Sequence, residues 1–204
     1  RGMSMLDLNF AKDAGYNIKL LAVLKSSEQG IEVRVHPTLI PQQHLLSAVR
    51  GPFNAAFVRG DLVGDTMFYG AGAGRLPTAS AVISDIVDVA INLATDAKGR
   101  LPSNYTYGED LNLIPSSEGS HRFYLRLQLN DEAGAMGKVS DVLGEFGISI
   151  ASVIQHEEHV ENTVPVIYLT QKCQERSFNQ ALDKIKGLDV VSSEVVHYII
   201  DDFS

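Results

Sequence analysis

The sequence lacks two kinds of residue cluster that would assign it to common functional classes. It has one cysteine, Cys173, which cannot form an internal disulfide or a zinc site built on cysteines, and such usage is typical of a reducing compartment. Clustered lysine and arginine are also missing, and 17 basic against 25 acidic residues leave a formal net charge of -8. Because proteins neutralise nucleic-acid phosphates with basic clusters, we predict no nucleic-acid partner.

Long apolar runs and a secretory leader are absent as well. No uninterrupted apolar run approaches the roughly 18 to 20 residues of a membrane span, and the first residues do not join a basic flank to an apolar core. The sequence therefore predicts no membrane partner and a cytoplasmic protein. The start, Arg1-Gly-Met-Ser-Met, leads abruptly into a helical pattern, so we expect the chain to be part of a longer protein.

The most informative segment is Phe68 to Asp85, FYGAGAGRLPTASAVISD, where alternate glycines lead into an amphipathic pattern. Gly70, Gly72 and Gly74 allow a ligand or a neighbouring segment to approach closely, and Pro77 suits the first turn of a helix. The apolar residues that follow predict a helix packed on one side. Such a helix start can bind phosphate, but the spacing is GxGxG, not GxGxxG, and a tight turn that seats a helix explains the same residues.

The rest of the first part reads as one helix and four strands. The second strand alternates, with Glu32 and Arg34 on one face and Val33 and Val35 on the other, and Pro37 is expected to end it. The predicted elements are a helix over Leu6 to Ala14, strands over Ile18 to Leu24 and Ile31 to Val35, and a hairpin of Phe53 to Val58 with Leu62 to Tyr69, turning at Arg59-Gly60-Asp61.

Periodicity disappears between Thr95 and Ser120, where proline, glycine and serine accumulate. We therefore place a linker there and a domain boundary near 118, which gives domains of residues 1–117 and 118–204. The second domain reads as βαββαβ, a ferredoxin-like fold with one open sheet face and free edges that could pair with a copy. The predicted fold class is α+β, a mixed-sheet first domain followed by this module.

Catalytic and metal-binding signatures are weak. His156 and His159 surround two glutamates, but they are predicted at a strand end and turn instead of a helix face, so we predict no metal site. No Ser/His/Asp or Cys/His pair lies at a recognisable turn, and Cys173 beside Lys172 is at most slightly activated.

A better candidate is the loop Asn130-Asp131-Glu132-Ala133-Gly134-Ala135-Met136, which joins the first strand of the second domain to its helix. Its backbone N–H groups lie at a helix N-terminus and suit a carboxylate, and the Asn130 amide can bind a small polar ligand such as a free amino acid. The alternative is that Asn130 or Asp131 caps the helix and Gly134 makes a tight turn.

With these two segments in view, the chain resembles the C-terminal part of homoserine dehydrogenase, an oxidoreductase that interconverts aspartate semialdehyde and homoserine with NAD(P). The first domain is similar to segments of that family's substrate and dimerisation domain, and these segments are GYNIKLLAVL (Gly15 to Leu24), VRVHPTLIP (Val33 to Pro41), GPFNAAFVRG (Gly51 to Gly60) and GDTMFYGAGAGRLPTASAVISD (Gly64 to Asp85). The resemblance implies that the Rossmann domain and the catalytic lysine lie upstream of Leu6. It also implies that Gly72, Ala73 and Gly74 approach NADP or NAD, and that this chain alone holds no cofactor and is inactive.

Residues 122–204 resemble an ACT domain, a regulatory module that binds amino acids. The segment that carries this resemblance is LNDEAGAMGKVSDVLGEFGISIASVIQ, from Leu129 to Gln155, where Ala133 replaces the usual proline. The effector-binding positions that it implies are Asn130, Ala133, Gly134, Ala135, Met136 and Ile148.

Together the resemblances imply a regulatory part of homoserine dehydrogenase in threonine and methionine biosynthesis. It would bind threonine for feedback control and form a homodimer or higher homo-oligomer. One alternative is a purely structural module that assembles and binds no ligand. Another ACT-bearing dehydrogenase is less compatible with the first domain.

Overall fold

The computed structural model describes residues 3–97, 112–155, 162–193 and 195–203, and most elements follow the periodicity of the sequence. The helices are α1 (Met5–Asp13), α2 (Arg75–Ala94), α3 (Ala135–Glu145) and α4 (Glu175–Ile185). The strands are β1 (Tyr16–Ser27), β2 (Gly30–Pro41), β3 (Phe53–Gly60), β4 (Gly64–Ala71), β5 (Ser120–Asn130), β6 (Ile150–Gln155), β7 (Thr163–Thr170), β8 (Cys173–Gln174) and β9 (Val196–Ile200). Short 3₁₀ turns cover Leu45–Ala48 and Ser116–Glu118.

The chain divides into two units that do not follow the predicted boundary near 118. One unit combines residues 1–42 with residues 111–204, and the other comprises residues 43–110. The first unit crosses residue 118 because β2 pairs in parallel with β9, through Thr38 with Ile199 and Leu39 with Ile200. Strand pairing thus joins the beginning of the chain to its end.

The predicted ferredoxin-like βαββαβ module is present in the first unit. Its strands follow the order β9-β5-β7-β6 within a larger sheet, β1-β2-β9-β5-β7-β6, with β8 beside β5. Alternate residues of these strands pack against α3 and α4. Phe123 of β5 and Phe178 of α4 stack with ring centroids 3.8 Å apart inside this core.

The expectation of an open sheet face and free edges is wrong for that face and for one edge, because other elements of the chain cover them. Helix α1 packs on the face opposite α3 and α4, where Phe10 and Ala11 join Tyr124 and Ile167 in a second core. At the β9 edge, the hairpin of β1 and β2 extends the sheet. Both elements precede the module in sequence, so the module's own pattern did not indicate them. Within the described residues, β6 pairs with β7 on one side and has no strand on the other.

Strand β2 continues through Pro37 to Pro41, so the expectation that Pro37 ends it is wrong. Pro37 lies opposite Leu20 of β1, while pairing with β9 begins only at Thr38. At Pro37 one side of β2 is therefore still an edge, where a residue without an N–H is tolerated.

The alternation in β2 is confirmed, but its charged face is the one that is buried. The Arg34 side chain is 7% exposed and binds Asp201 at 2.5 Å, and it also pairs with Glu32. On the opposite face Val33 and Val35 are exposed, and Leu24 lies across from Val33. The hairpin thus presents an apolar patch outward and satisfies its buried charges by pairing.

The second unit contains the predicted hairpin, β3 with β4, followed by α2. Its turn lies at residues 61–63 and not at Arg59-Gly60-Asp61 as predicted, because Arg59 and Gly60 still pair with β4, and Gly64 after the turn adopts a positive φ of 72°. Helix α2 is confirmed, but its packing is not, since none of its residues is buried. By length and composition alone α2 could also span a membrane. The search for uninterrupted apolar runs in the sequence did not predict this. Asp85 and Asp88 lie mid-helix, and carboxylates there are costly in lipid, which favours a protein surface as its partner.

Two predictions fall mainly outside the described residues. Most of the proposed linker lies in residues 98–111, and both His156 and His159 lie in the stretch 156–161.

Candidate functional site

A cavity of about 340 Å³ opens beside the loop between β5 and α3. Its lining includes the predicted positions Asn130, Ala133, Gly134, Ala135 and Met136. The structure adds Leu129, Asp131, Glu132, Gly137, Gln155, Val164 and Val166, which come from the same loop, the end of β6 and the start of β7. The cavity is therefore lined by the β5–α3 loop together with β6 and β7, which are separate in sequence.

Ile148 is the exception among the predicted positions. It is 3% exposed and belongs to the core between the sheet and α3, so it does not line this cavity. Its N–H donates to the Leu143 carbonyl at 2.9 Å, which closes the end of α3. The resemblance to an ACT domain implied an effector contact at this position, whereas the side chain packs in the core.

Gly134 sets the geometry at the start of α3. Its φ of 91° lies in the left-handed region, and it is the N-cap of α3 without a side-chain cap. The alternative that Asn130 or Asp131 caps the helix is therefore not observed. The N–H of Ala135 donates to the Glu132 carbonyl at 3.2 Å, whereas those of Met136 and Gly137 have no acceptor among the described residues. Uncapped N–H groups at a helix N-terminus attract an anion.

Hydrogen bonds to the segment before β9 hold the loop in place. The Asn130 side chain donates through Nδ2 to the Asp189 carbonyl at 3.2 Å, and its backbone N–H donates to Val190 at 2.9 Å. Lys138 Nζ reaches both Asp189 carboxylate oxygens, at 3.0 and 3.1 Å, and this hydrogen bond raises the pKa of Lys138. The Asn130 side chain thus uses one N–H in a hydrogen bond that holds the loop, and its Oδ1 remains an acceptor for a ligand.

Tyr168 of β7 supports the first turn of α3 from beneath, and sequence reasoning did not find it. Its hydroxyl donates to the Met136 carbonyl at 3.1 Å, and Ser140 Oγ donates to the same carbonyl at 2.9 Å. Burial raises the pKa of Tyr168, so the hydroxyl remains a donor at neutral pH. A tyrosine at an inward strand position carries no local signal of this contact.

The glycine loop lies in the other unit, and Gly72, Ala73 and Gly74 are exposed there. A Cβ on Gly72 would lie 2.0 Å from Asn54 Nδ2, so Gly72 permits close packing of the Asn54 side chain. Gly74 has φ of 122° and is the N-cap of α2, again without a side-chain cap. Tight packing and an accessible helix start thus coexist in this loop.

Metal and thiol chemistry find no support in the described residues. Among residues 3–97, 112–155, 162–193 and 195–203, His, Cys, Asp and Glu form no group that could hold a metal ion. Burial raises the pKa of the Cys173 thiol, which agrees with the interpretation that this residue is at most slightly activated.

Comparisons with known proteins point to one family. The family model of homoserine dehydrogenase matches residues 1–87. Homoserine dehydrogenase of Pseudomonas aeruginosa is 38% identical over 99% of this chain and 48% of its own length. That of Helicobacter pylori is 40% identical over 91% of this chain and 43% of its own length.

Solved structures agree over nearly the whole chain. A homoserine dehydrogenase from Thiobacillus denitrificans aligns with a TM-score of 0.87 at 37% identity, over 99% of this chain and 46% of that one. The enzyme of S. aureus aligns with a TM-score of 0.60 at 28% identity. The chain therefore corresponds to the C-terminal part of the homoserine dehydrogenase family, and it spans about half the length of the curated relatives that it matches.

Proposed function

We propose that this chain is the regulatory and subunit-pairing part of a homoserine dehydrogenase, and that its cavity binds free threonine as a feedback effector. The observation that carries the proposal is the start of α3 at Gly134, which has no side-chain cap and borders a cavity of about 340 Å³. The N–H groups of Met136 and Gly137 suit the ligand carboxylate. Asn130 Oδ1 can accept from the ammonium group, and Val164 and Val166 offer an apolar wall to a methyl group.

Calorimetry tests the amino-acid site directly. We expect saturable heat when L-threonine is titrated into the 204-residue chain, and none with D-threonine. A panel of the other L-amino acids would identify a different effector. No heat or stability change across the whole panel would contradict an effector site.

A matched pair of variants separates binding from backbone strain. Gly134 and Gly147 both have positive φ, 91° and 69°, and at both positions a Cβ would meet open space. Each change to alanine should cost about 1–2 kcal/mol of folding free energy. We expect Gly134→Ala to weaken threonine binding at least about tenfold. A loss of about 1.4 kcal/mol in the hydrogen bonds between the start of α3 and the ligand is enough for that change in affinity. Gly147→Ala, at the far end of α3, should bind normally.

A purely structural module is the second candidate, because β6 pairs on one side only in the part of the chain that the structure describes, and its other side can add a strand from a copy. In that case the unchanged chain would show no response to amino acids, and Gly134→Ala would leave assembly unchanged. We propose a homodimer or higher homo-oligomer under either candidate, and cytoplasmic location remains part of the proposal.

We propose that Gly72, Ala73 and Gly74 contact NADP or NAD in the complete enzyme. They fit one wall of such a site, since the loop is exposed, lacks side-chain bulk and precedes an uncapped helix. A nicotinamide cofactor would supply hydride transfer, whereas this chain supplies only the backbone of the loop. We therefore expect the purified 204-residue chain to show no homoserine oxidation with either cofactor. A measurable rate would overturn this expectation.

A further inference from the structure

The sheet of the first unit carries the cavity and helix α1 on opposite faces of the same strands. On β7, Val166 lines the cavity and its neighbour Ile167 packs in the core beneath α1. On β6, Gln155 lines the cavity and Ile154 packs against that same core. Because consecutive residues of a strand point to opposite faces, a shift of these strands on ligand binding reaches α1 directly.

A buried ion pair fixes the start of α1 to the middle of this sheet. Arg126 of β5 donates from Nε to Asp7 Oδ1 at 2.5 Å and from Nη2 to Asp7 Oδ2 at 3.3 Å. The side chains are 11% and 1% exposed. Such a two-pronged contact sets orientation as well as distance. Arg126 lies four residues before Asn130, on a strand paired on both sides, opposite Ile167 and Val196.

The same carboxylate also caps α1. Asp7 Oδ2 accepts from Ser4 Oγ at 2.5 Å, and the Asp7 N–H donates to Ser4 Oγ at 3.1 Å, which completes a capping box. The first turn of α1 and its attachment to β5 therefore depend on one side chain. A change in the position of Arg126 alters both.

We propose that the Asp7–Arg126 pair transmits occupancy of the cavity to helix α1. Helix α1 lies in the segment matched by the homoserine dehydrogenase family model, residues 1–87, whereas the cavity lies outside that segment. The pair thus couples the effector module to the segment that the family model matches. This inference rests on the proposed amino-acid site and deepens it by naming how the site acts.

Hydrogen exchange of the 204-residue chain with and without L-threonine tests the coupling. In the unchanged chain we expect threonine to slow exchange both in residues 133–137 and in α1, by about 2- to 30-fold in α1. The double variant Asp7→Leu with Arg126→Met replaces the pair by apolar groups, which proteins often tolerate. It should keep the response of residues 133–137 and lose that of α1.

Arg122→Met is the matched control. Arg122 lies on the same strand and on the same face as Arg126, but it binds Asp202 at 2.5 Å and Tyr16 Oη at 3.4 Å instead of α1. This variant should retain both responses. If Arg122→Met also removes the α1 response, the coupling is not specific to the Asp7 pair and the inference fails.

The remaining outcomes separate the inference from the proposed function. No slowing at residues 133–137 contradicts the amino-acid site itself. Slowing there without slowing in α1, or an α1 response that survives in the double variant, overturns the transmission route alone. If the double variant does not fold, Arg126→Lys keeps the charge but loses the planar fork. It should reduce the α1 response, and an undiminished response would overturn the inference.

Discussion

The two units of the chain differ in whether their helices bury apolar side chains. In the unit of residues 1–42 and 111–204, Phe123 and Phe178 are 2% and 1% exposed in a core shared by the sheet and two helices. In the unit of residues 43–110, Ile83 and Ile86 of α2 are 59% and 61% exposed. The first unit is therefore stabilised by its own core, whereas α2 requires another surface to cover its apolar residues.

The strongest test of this comparison removes one apolar side chain from each unit. Phe178→Ala should lower the free energy of unfolding by about 3–5 kcal/mol, because it opens a cavity beside Phe123. Ile86→Ala should change it by less than about 0.5 kcal/mol in a monomer. Urea unfolding at low protein concentration measures both. A large cost for Ile86→Ala there would show that α2 is covered, and the contrast would fail.

Ion pairs should also contribute more to stability in the first unit than in the second. Asp7→Ala leaves the Arg126 charge buried without its partner and should cost about 3 kcal/mol. The exposed pair in the other unit, Arg59 Nε to Asp65 Oδ1 at 2.7 Å, should contribute little in comparison. Thermal unfolding of Asp7→Ala and Arg59→Gln measures the difference. Equal shifts in the two variants would contradict this account of the first unit.

A charge on α2 tests what covers its apolar surface. If a second copy of the chain covers it, Ile86→Glu should weaken self-association at least about tenfold, since burying the carboxylate costs more than about 1.4 kcal/mol. Sedimentation across protein concentrations measures this. Ser84→Glu serves as the control on the polar face. Unchanged association of Ile86→Glu would remove α2 from the interface between copies.

Acid should affect the first unit through two histidines, the buried His121 and the half-buried His36. Burial lowers the pKa of His36 and of His121, so the unfolded chain takes up protons at a higher pH than the folded one. Their contribution to stability is present above about pH 6.5 and decreases as the pH falls from there. Urea midpoints at pH 7.5 and 5.5 should differ less in His121→Gln than in the unchanged chain. An identical dependence would exclude His121 as a source.

Local pattern predicted much of the fold and of the loop that forms the site. The βαββαβ order follows from alternation and helical spacing, because these signals depend only on neighbouring residues. Gly134, between a strand and an amphipathic helix, marked the cavity for the same reason. Tyr168, Val164 and Gln155 could not be found in this way, since their contacts depend on strands that are distant in sequence.

The sequence by itself determined the family, the order of elements and the glycines at the starts of α2 and α3, Gly74 and Gly134. Only the tertiary structure decided that α1 covers the second face of the sheet, that β2 buries its charged side, and that Ile148 belongs to the core. Each of these depends on pairing between residues far apart in the chain, such as Thr38 with Ile199 and Asp7 with Arg126. A local pattern shows which side chains share a face, but it does not show what packs against that face.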